Sequence, residues 1–286
     1  MGALLVALRA VVQQGEGMLV KRYGKKHSEC GMFFNAITCL FSVVFFLVTD
    51  KGGLCFPEKM FVYGFVSCIL FATGFYAMYV ALKLGSFVAT MLISSFSGVI
   101  SVCYGILFLK EQISIPTYIA IVLVFVSVFL MRYEKNNNAE KKKVSVKWLL
   151  WALLSAVSNG FIAVVSRTQQ IYFENAYDNE FMICSFGGAF VVLLVLGMFI
   201  EKDKIKSSLK YVMLYGMATG LLNGAKNLIG LGIYLFIPLA IATPVKTGSA
   251  FLLSFFVSLI IYKEKFTKQQ VTGVILGILA LIMFNL

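Results

Sequence analysis

Three groups of ionisable and amide side chains recur at helical spacing inside otherwise apolar sequence. Arg9, Gln13 and Glu16 are four and three residues apart, which places them on one stripe of a helix. Lys226 and Asn227 stand three and four residues after Asn223, and Lys246 and Thr247 stand three and four after Thr243. A fourth polar run carries Ser155, Ser158, Asn159 and Ser166. No Asp or Glu stands anywhere between Leu221 and Ala250, the stretch holding both lysines. A bare ammonium is costly in hydrocarbon, so such cations are expected to face a bundle interior or a wet cavity. A guanidinium binds carboxylate or phosphate through two parallel hydrogen bonds, and an ammonium adds a point charge. Two cations about 10 Å apart repel by on the order of 1.7 kcal/mol at an effective dielectric of 20, and a bound anion relieves that. Arg9, Lys226 and Lys246 are therefore expected to form a receptor for a small anionic or zwitterionic metabolite. Gln13, Asn159, Asn223, Asn227, Thr243 and Thr247 are expected to supply its hydrogen bonds. Glu16 is a carboxylate set between desolvation and nearby cations, and it is the candidate for proton coupling.

The elements that must position these residues follow from composition. Of 286 residues 60% are hydrophobic and 13% charged, against about 25% charged in a soluble domain. Ten stretches reach or approach the roughly 20 apolar residues that a helix needs to span a bilayer. They lie at 3–22, 30–49, 59–81, 86–109, 114–131, 147–170, 180–200, 209–232, 238–261 and 267–285. The expected fold class is therefore an all-α integral membrane protein with ten transmembrane helices. Residues 135–146 read as a charged cytoplasmic linker between two five-helix halves, 1–134 and 147–286. Loops after the odd-numbered stretches carry eighteen of the 25 Lys and Arg residues, which puts them in the cytoplasm and both termini outside. The net charge of +12 then meets anionic lipid on one membrane face and calls for no nucleic-acid partner. No cleavable signal peptide is expected, because the first apolar run lacks a basic region before it and a small-residue cleavage site after it.

Several chemistries lack their residues. His27 is the only histidine and lies in a basic loop; the six cysteines form no C-x-x-C pair; and no P-loop is present. Metal sites, disulfide frameworks, nucleotide hydrolysis and resident cofactors are not expected, and neither is an enzyme. The expected partners are a small-molecule substrate, the bilayer and, through Glu16, protons.

The two halves match each other weakly but in order. A shift of 153 residues lays 108–114, "FLKEQIS", on 261–267, "IYKEKFT", pairing Lys110 with Lys263 and Glu111 with Glu264. A shift of 145 pairs Gly15 with Gly160 and Arg22 with Arg167. Because five is odd, the second half must lie upside down relative to the first, as in many secondary transporters. The Glu closing each fourth helix, together with 242–281 including Pro244-Val245 and the Gln270-to-Gly273 spacing, resembles the ten-helix EamA-type branch of the drug/metabolite transporter superfamily. In the first half Met91 and Ala120 stand where Pro244 and Gly273 do in the second. The resemblance implies inverted five-helix repeats and secondary transport by alternating access. It leaves open cargoes from amino acids, nucleotide sugars and sugar phosphates to cationic drugs; proton-coupled export of cationic or lipophilic drugs is the alternative function, and a non-transporting structural or sensory membrane protein the distant one.

Depth refines the grouping. Counted from the middle of each stretch at about 1.5 Å per residue, Arg9, Lys226 and Lys246 fall in one leaflet half and Glu16 in the other. Three other arrangements compete with the receptor: Lys226 snorkelling outward, Lys246 doing the same, and Arg9 neutralised by Glu16 along their shared stripe. Glu111 and Glu264 are expected to be loop-end partners of Lys110 and Lys263. The glycines at 216, 220 and 224 are expected to pack helices closely.

Overall fold

The computed structural model describes residues 1–26, 30–50, 52–84, 90, 93–94, 96–111, 114–130, 146–261 and 268–283. Glu264, Lys263, His27, Met91 and nearly all of the 135–146 linker lie outside these. Among the described residues the chain is helical and no strand occurs. In chain order the helices are α1 (Gly2–Lys26), α2 (Gly31–Thr49), α3 (Glu58–Leu84), α4 (Ser97–Leu107), α5 (Ile115–Leu130), α6 (Val146–Tyr172), α7 (Asp178–Ile200), α8 (Lys202–Tyr234), α9 (Leu239–Ile261) and α10 (Lys268–Met283).

Five of them, α1, α2, α3, α6 and α7, are long and apolar enough to cross a membrane by length and composition. Apolar stretches of α4, α5 and α10 are shorter among the described residues. Helix α8 is 33 residues long but opens with Lys202, Asp203, Lys204 and Lys206, so its charged first turns extend beyond the apolar part. Much of the outward surface is hydrocarbon: Val48, Phe65, Leu150, Val191 and Ile275 are all exposed. In water such a surface would be strongly unfavourable; in lipid it is the ordinary outer face.

Helix starts follow local chemistry. Helix α7 begins with Asp178 and Glu180 in its first turn, where carboxylates complement the positive end of the helix dipole. Helix α3 follows Pro57 and α9 follows Pro238, each ring fixing φ at a position where the missing N–H is not needed. Pro244, inside α9, has no N–H to offer the Ala240 carbonyl one turn earlier.

Packing is tightest where glycine allows it. A methyl group at Gly216 would sit 2.7 Å from Ile37, at Gly220 it would sit 2.5 Å from the Thr38 carbonyl oxygen, and at Gly224 it would sit 2.6 Å from Phe45. The stripe 216/220/224 thus seats α8 directly on α2, as its spacing predicts. Helix α2 also packs on α7, α3 packs on α6 and α7, and α1 packs on α8 and α9. Helix α4 packs on α6 and α9, and α5 pairs with α10. The rings of Phe46, Phe71 and Phe186 fill the space between α2, α3 and α7, with Phe71 and Phe186 centroids 4.5 Å apart.

Side chains tie the helix ends together. The Glu201 carboxylate accepts the Met32 and Phe33 N–H groups at 2.9 and 3.0 Å, so the α7–α8 junction lies beside the start of α2. At the other end of the bundle Asn179 donates to Asp50 at 3.2 Å, and the Cys55 N–H donates to Glu180 at 3.1 Å. Glu111 there accepts the Leu239 and Ala240 N–H groups, both at 2.9 Å. The pairing of Glu111 with Lys110 expected from their adjacency is not what its carboxylate does. It caps α9, because four N–H groups of a helix start need acceptors and a neighbouring ammonium on the surface does not.

Candidate functional site

A cavity of about 240 Å³ lies among α1, α3, α6, α8 and α9. Every residue of the expected receptor borders it: Arg9, Gln13, Asn159, Asn223, Lys226, Asn227, Thr243, Lys246 and Thr247, together with Glu16. The i, i+3 and i, i+4 spacings are what bring them there, since α1, α8 and α9 each turn one polar stripe inward.

Within this ring the charges divide into a neutralised pair and two cations. Lys226 Nζ and Glu16 Oε2 are 2.5 Å apart, with the side chains 15% and 12% exposed. Asn223 Nδ2 donates to the other Glu16 oxygen at 2.7 Å. Asn223 is itself held: its Oδ1 accepts from Asn227 at 3.0 Å and lies 3.3 Å from the Ser42 hydroxyl of α2. Arg9 Nη1 donates to Gln13 Oε1 at 2.8 Å, and its buried Nε has no protein partner among the described residues. Lys246 is 6% exposed and has no carboxylate within ion-pair distance among the described residues. Its ammonium lies over the Tyr234 ring, 3.8 Å from the centroid, a cation–π contact that solvates part of the charge.

Two expectations are corrected here. Glu16 pairs with Lys226 despite the different depths expected of them, and among the described residues it forms no ion pair with Arg9. Gly15 faces Leu222 and Gly230 faces Arg9, so α1 and α8 run antiparallel with Lys226 roughly level with Val12. That leaves about 6 Å of axial offset to Glu16. Side chains on a helix lean toward its N-terminus. On antiparallel neighbours the two leans oppose, so Lys226 and Glu16 reach toward each other. Lys226 therefore points inward and does not snorkel.

The remaining expected groups have modest local bonds. Asn159 donates to the Ser155 carbonyl at 2.8 Å, and the Thr247 hydroxyl donates to the Thr243 carbonyl at 3.0 Å. Residues outside the expected set also border the cavity. Tyr234 and Thr219 extend the α8 stripe by one to two turns, a signal the spacing carried. Asn35 is a lone amide in apolar α2, and Phe71 and Phe75 form an aromatic wall from α3 that nothing in their spacing marks as functional. Gln14 lies one residue off the α1 stripe and donates to the Ala250 carbonyl at 2.6 Å. Asn35 Nδ2 and Thr219 Oγ1 are buried without a protein partner, so the polar lining continues toward the end of the bundle where α1 meets α2.

The cavity lies inside apolar helices and is lined by Arg9, Lys226 and Lys246, and comparison with known proteins adds a family to that arrangement. Residues 1–133 match the EamA-like transporter family. With the apolar helices, that match marks a multi-pass membrane protein and points to transport, and nothing in it points to catalysis. The EamA-like half contributes Arg9, Gln13 and Glu16 to the cavity; α6, α8 and α9 supply the rest. An uncharacterised protein of Methanocaldococcus jannaschii is 32% identical over 85 residues, which is 30% of this chain and 62% of that one. The match thus spans less than two thirds of the relative. One solved crystal structure superposes on 97% of this chain and 98% of its own at a TM-score of 0.68, with 13% identity, a likeness of fold.

Proposed function

We propose that this EamA-like protein is a secondary transporter that moves a small anionic or zwitterionic metabolite by alternating access. Arg9 and Lys246 are the primary contacts of its charged group. The observation that carries the reading is Lys246, a buried cation at the cavity wall whose side-chain partner among the described residues is an aromatic ring. With Lys226 offset by Glu16, Arg9 and Lys246 leave the cavity doubly positive, and a carboxylate or phosphate would neutralise it. Glu16 is the coupling group: protonation releases Lys226 and changes the charge that the cargo meets.

Two inverted five-helix repeats, 1–134 and 147–286 joined by the 135–146 linker, are the proposed frame. Helix pairing supports this, because exchanging each helix with the one five places along returns the principal pairs, although α5–α9, α6–α9, α8–α9 and α9–α10 have no counterpart of similar extent among the described residues. The α1–α8 contact maps onto α6–α3, α2–α8 onto α7–α3, and α1–α9 onto α6–α4, while α2–α7, α4–α9 and α5–α10 map onto themselves. The junction contacts add to it, since Glu201 follows α7 and holds the start of α2 while Asp50 follows α2 and holds Asn179 of α7. The lysine-rich junctions are assigned to the cytoplasm and both termini to the outside.

Uptake into proteoliposomes tests the reading. Organic acids, amino acids and sugar phosphates should compete for uptake, and lipophilic cations should not. Lys246→Ala should abolish uptake while the purified protein keeps its elution profile and thermal transition. Unchanged uptake in that variant, or competition by lipophilic cations alone, would replace the anion site with a cationic-drug exporter.

A further inference from the structure

We infer that a narrow hydrated passage between α6, α7 and α8 carries protons from an acidic recess at the Asp50–Glu180 end of the bundle to the central cavity, with Asp178 as its titrating group. This rests on the proton-coupling role of Glu16 proposed above. The recess, about 300 Å³, is bordered by Asp50, Asp178 and Glu180. Behind it sits a cluster of polar atoms that the protein itself leaves unmatched. Gln169 and Gln170 are both 0% exposed, and the Oε1 of each has no protein partner among the described residues. Arg167 Nε and Asp178 Oδ1 are buried and unpartnered beside them. Buried polar atoms are nearly always satisfied, by protein or by ordered water, and four on neighbouring side chains, donor and acceptors together, make a site for a short file of water.

The cluster is continuous in both directions. Gln170 Nε2 donates to Asp178 Oδ2 at 2.9 Å and to the Leu231 carbonyl at 3.3 Å, and Gln169 Nε2 donates to the Tyr177 carbonyl at 3.5 Å. Asp178 therefore borders the recess on one side and the glutamine pair on the other. Leu231 borders the central cavity, as does Ser166, which directly precedes Arg167. Arg167 is within electrostatic range of both Asp178 and Tyr234, and Tyr234 carries Lys246 on its ring. Leu231 and Tyr234 are thus the partition between the file and the site.

The charges select the traveller. Asp50, Asp178 and Glu180 at the mouth repel an anionic cargo and gather protons, and Arg167 behind them is offset by the Asp178 carboxylate within its electrostatic range. A proton passes as a covalent-bond rearrangement along water and so does not need a vacancy of its own size. Asp178 takes a proton from the recess and gives it to the file, and Glu16 receives it at the far side of the cavity. The charged and titratable groups facing Asp178 are Arg167 from α6, Glu180 from its own helix and Asp50 beyond α2.

Coupled and uncoupled transport separate this passage from everything else. In proteoliposomes an imposed gradient of one pH unit drives about tenfold accumulation for one proton per cargo. Asp178→Asn and, separately, Gln170→Leu should lose that accumulation, and cargo-induced acidification read by an internal pH dye, while counterflow exchange without a gradient stays within about twofold of wild type. Asp178→Glu should restore coupling with a displaced pH profile, which a merely structural role would not do. If Glu16→Gln uncouples and Asp178→Asn stays fully coupled, the passage is wrong and the role of Glu16 stands. If Glu16→Gln stays coupled, the proton-coupling role itself falls, and the passage with it.

Discussion

Removing the Glu16 carboxylate gives the sharpest thermodynamic test of the cavity. At 2.5 Å and an effective dielectric of 20 the attraction between Lys226 and Glu16 is about 7 kcal/mol before desolvation is subtracted. Both groups are largely withdrawn from water, so desolvation offsets much of this, and losing one partner is expected to cost about 3–5 kcal/mol. Glu16→Gln keeps the side-chain shape and an oxygen for the Asn223 amide, so the loss reports the charge. It also adds a third uncompensated cation beside Arg9 and Lys246. The second substitution is Lys226→Met, which removes the orphaned ammonium with little change of volume. Replacing both members of a buried pair is often close to neutral, so the double variant should recover most of the stability that Glu16→Gln loses. The assay is thermal or denaturant unfolding of the purified protein in one detergent, as a double-mutant cycle, with an expected coupling of about 2 kcal/mol or more. Additive losses in the cycle would mean that the two groups do not stabilise each other in the membrane protein, and the charge division described for the site would be wrong.

Other perturbations act on the frame that holds the site. Glu201→Ala strips the acceptor from two N–H groups at the start of α2 and should cost about 1–3 kcal/mol, with Glu201→Gln intermediate, both read by the unfolding midpoint. Glu111→Ala should lower stability similarly through the start of α9. Gly220→Ala drives a methyl group to 2.5 Å from the Thr38 carbonyl oxygen and should cost about 1–3 kcal/mol by parting α2 from α8. Gly187→Ala has no neighbour within 4 Å and should be stabilising by about 0.5–1 kcal/mol, the gain of alanine over glycine in a helix.

The helices were legible because hydrocarbon leaves the backbone few alternatives. Every apolar stretch read from the sequence overlaps a described helix, and differences are largest where charge begins, as at α8, whose start lies seven residues before the apolar stretch at 209–232. Hydropathy cannot see that a lysine-rich segment continues a helix into the headgroup region, because water satisfies a charged helix and a charged loop equally well. The role of Glu111 was hidden for a related reason. A carboxylate beside a lysine in sequence reads as an ion pair, but the acceptor-hungry α9 start lies 128 residues away.

Convergence of the polar stripes was legible, and their pairing was not. A spacing of three and four residues tells which side chains share a helical face, and an ionisable face in a membrane has only the interior to turn to. Which cation meets Glu16 depends on the relative register of α1 and α8, set by Gly15 against Leu222 and Gly230 against Arg9. Measuring depth from backbone positions alone also treats side chains as points at their Cα atoms. A lysine and a glutamate on antiparallel helices lean toward each other, and together they close an offset of several residues. The same geometry explains the isolation of Lys246. Its helix, α9, runs parallel to α1, so Lys246 and Glu16 both lean toward their own N-termini in the same direction and their offset is not closed. Of the three cations, the one on the antiparallel helix is neutralised and the one on the parallel helix is left without a carboxylate partner among the described residues.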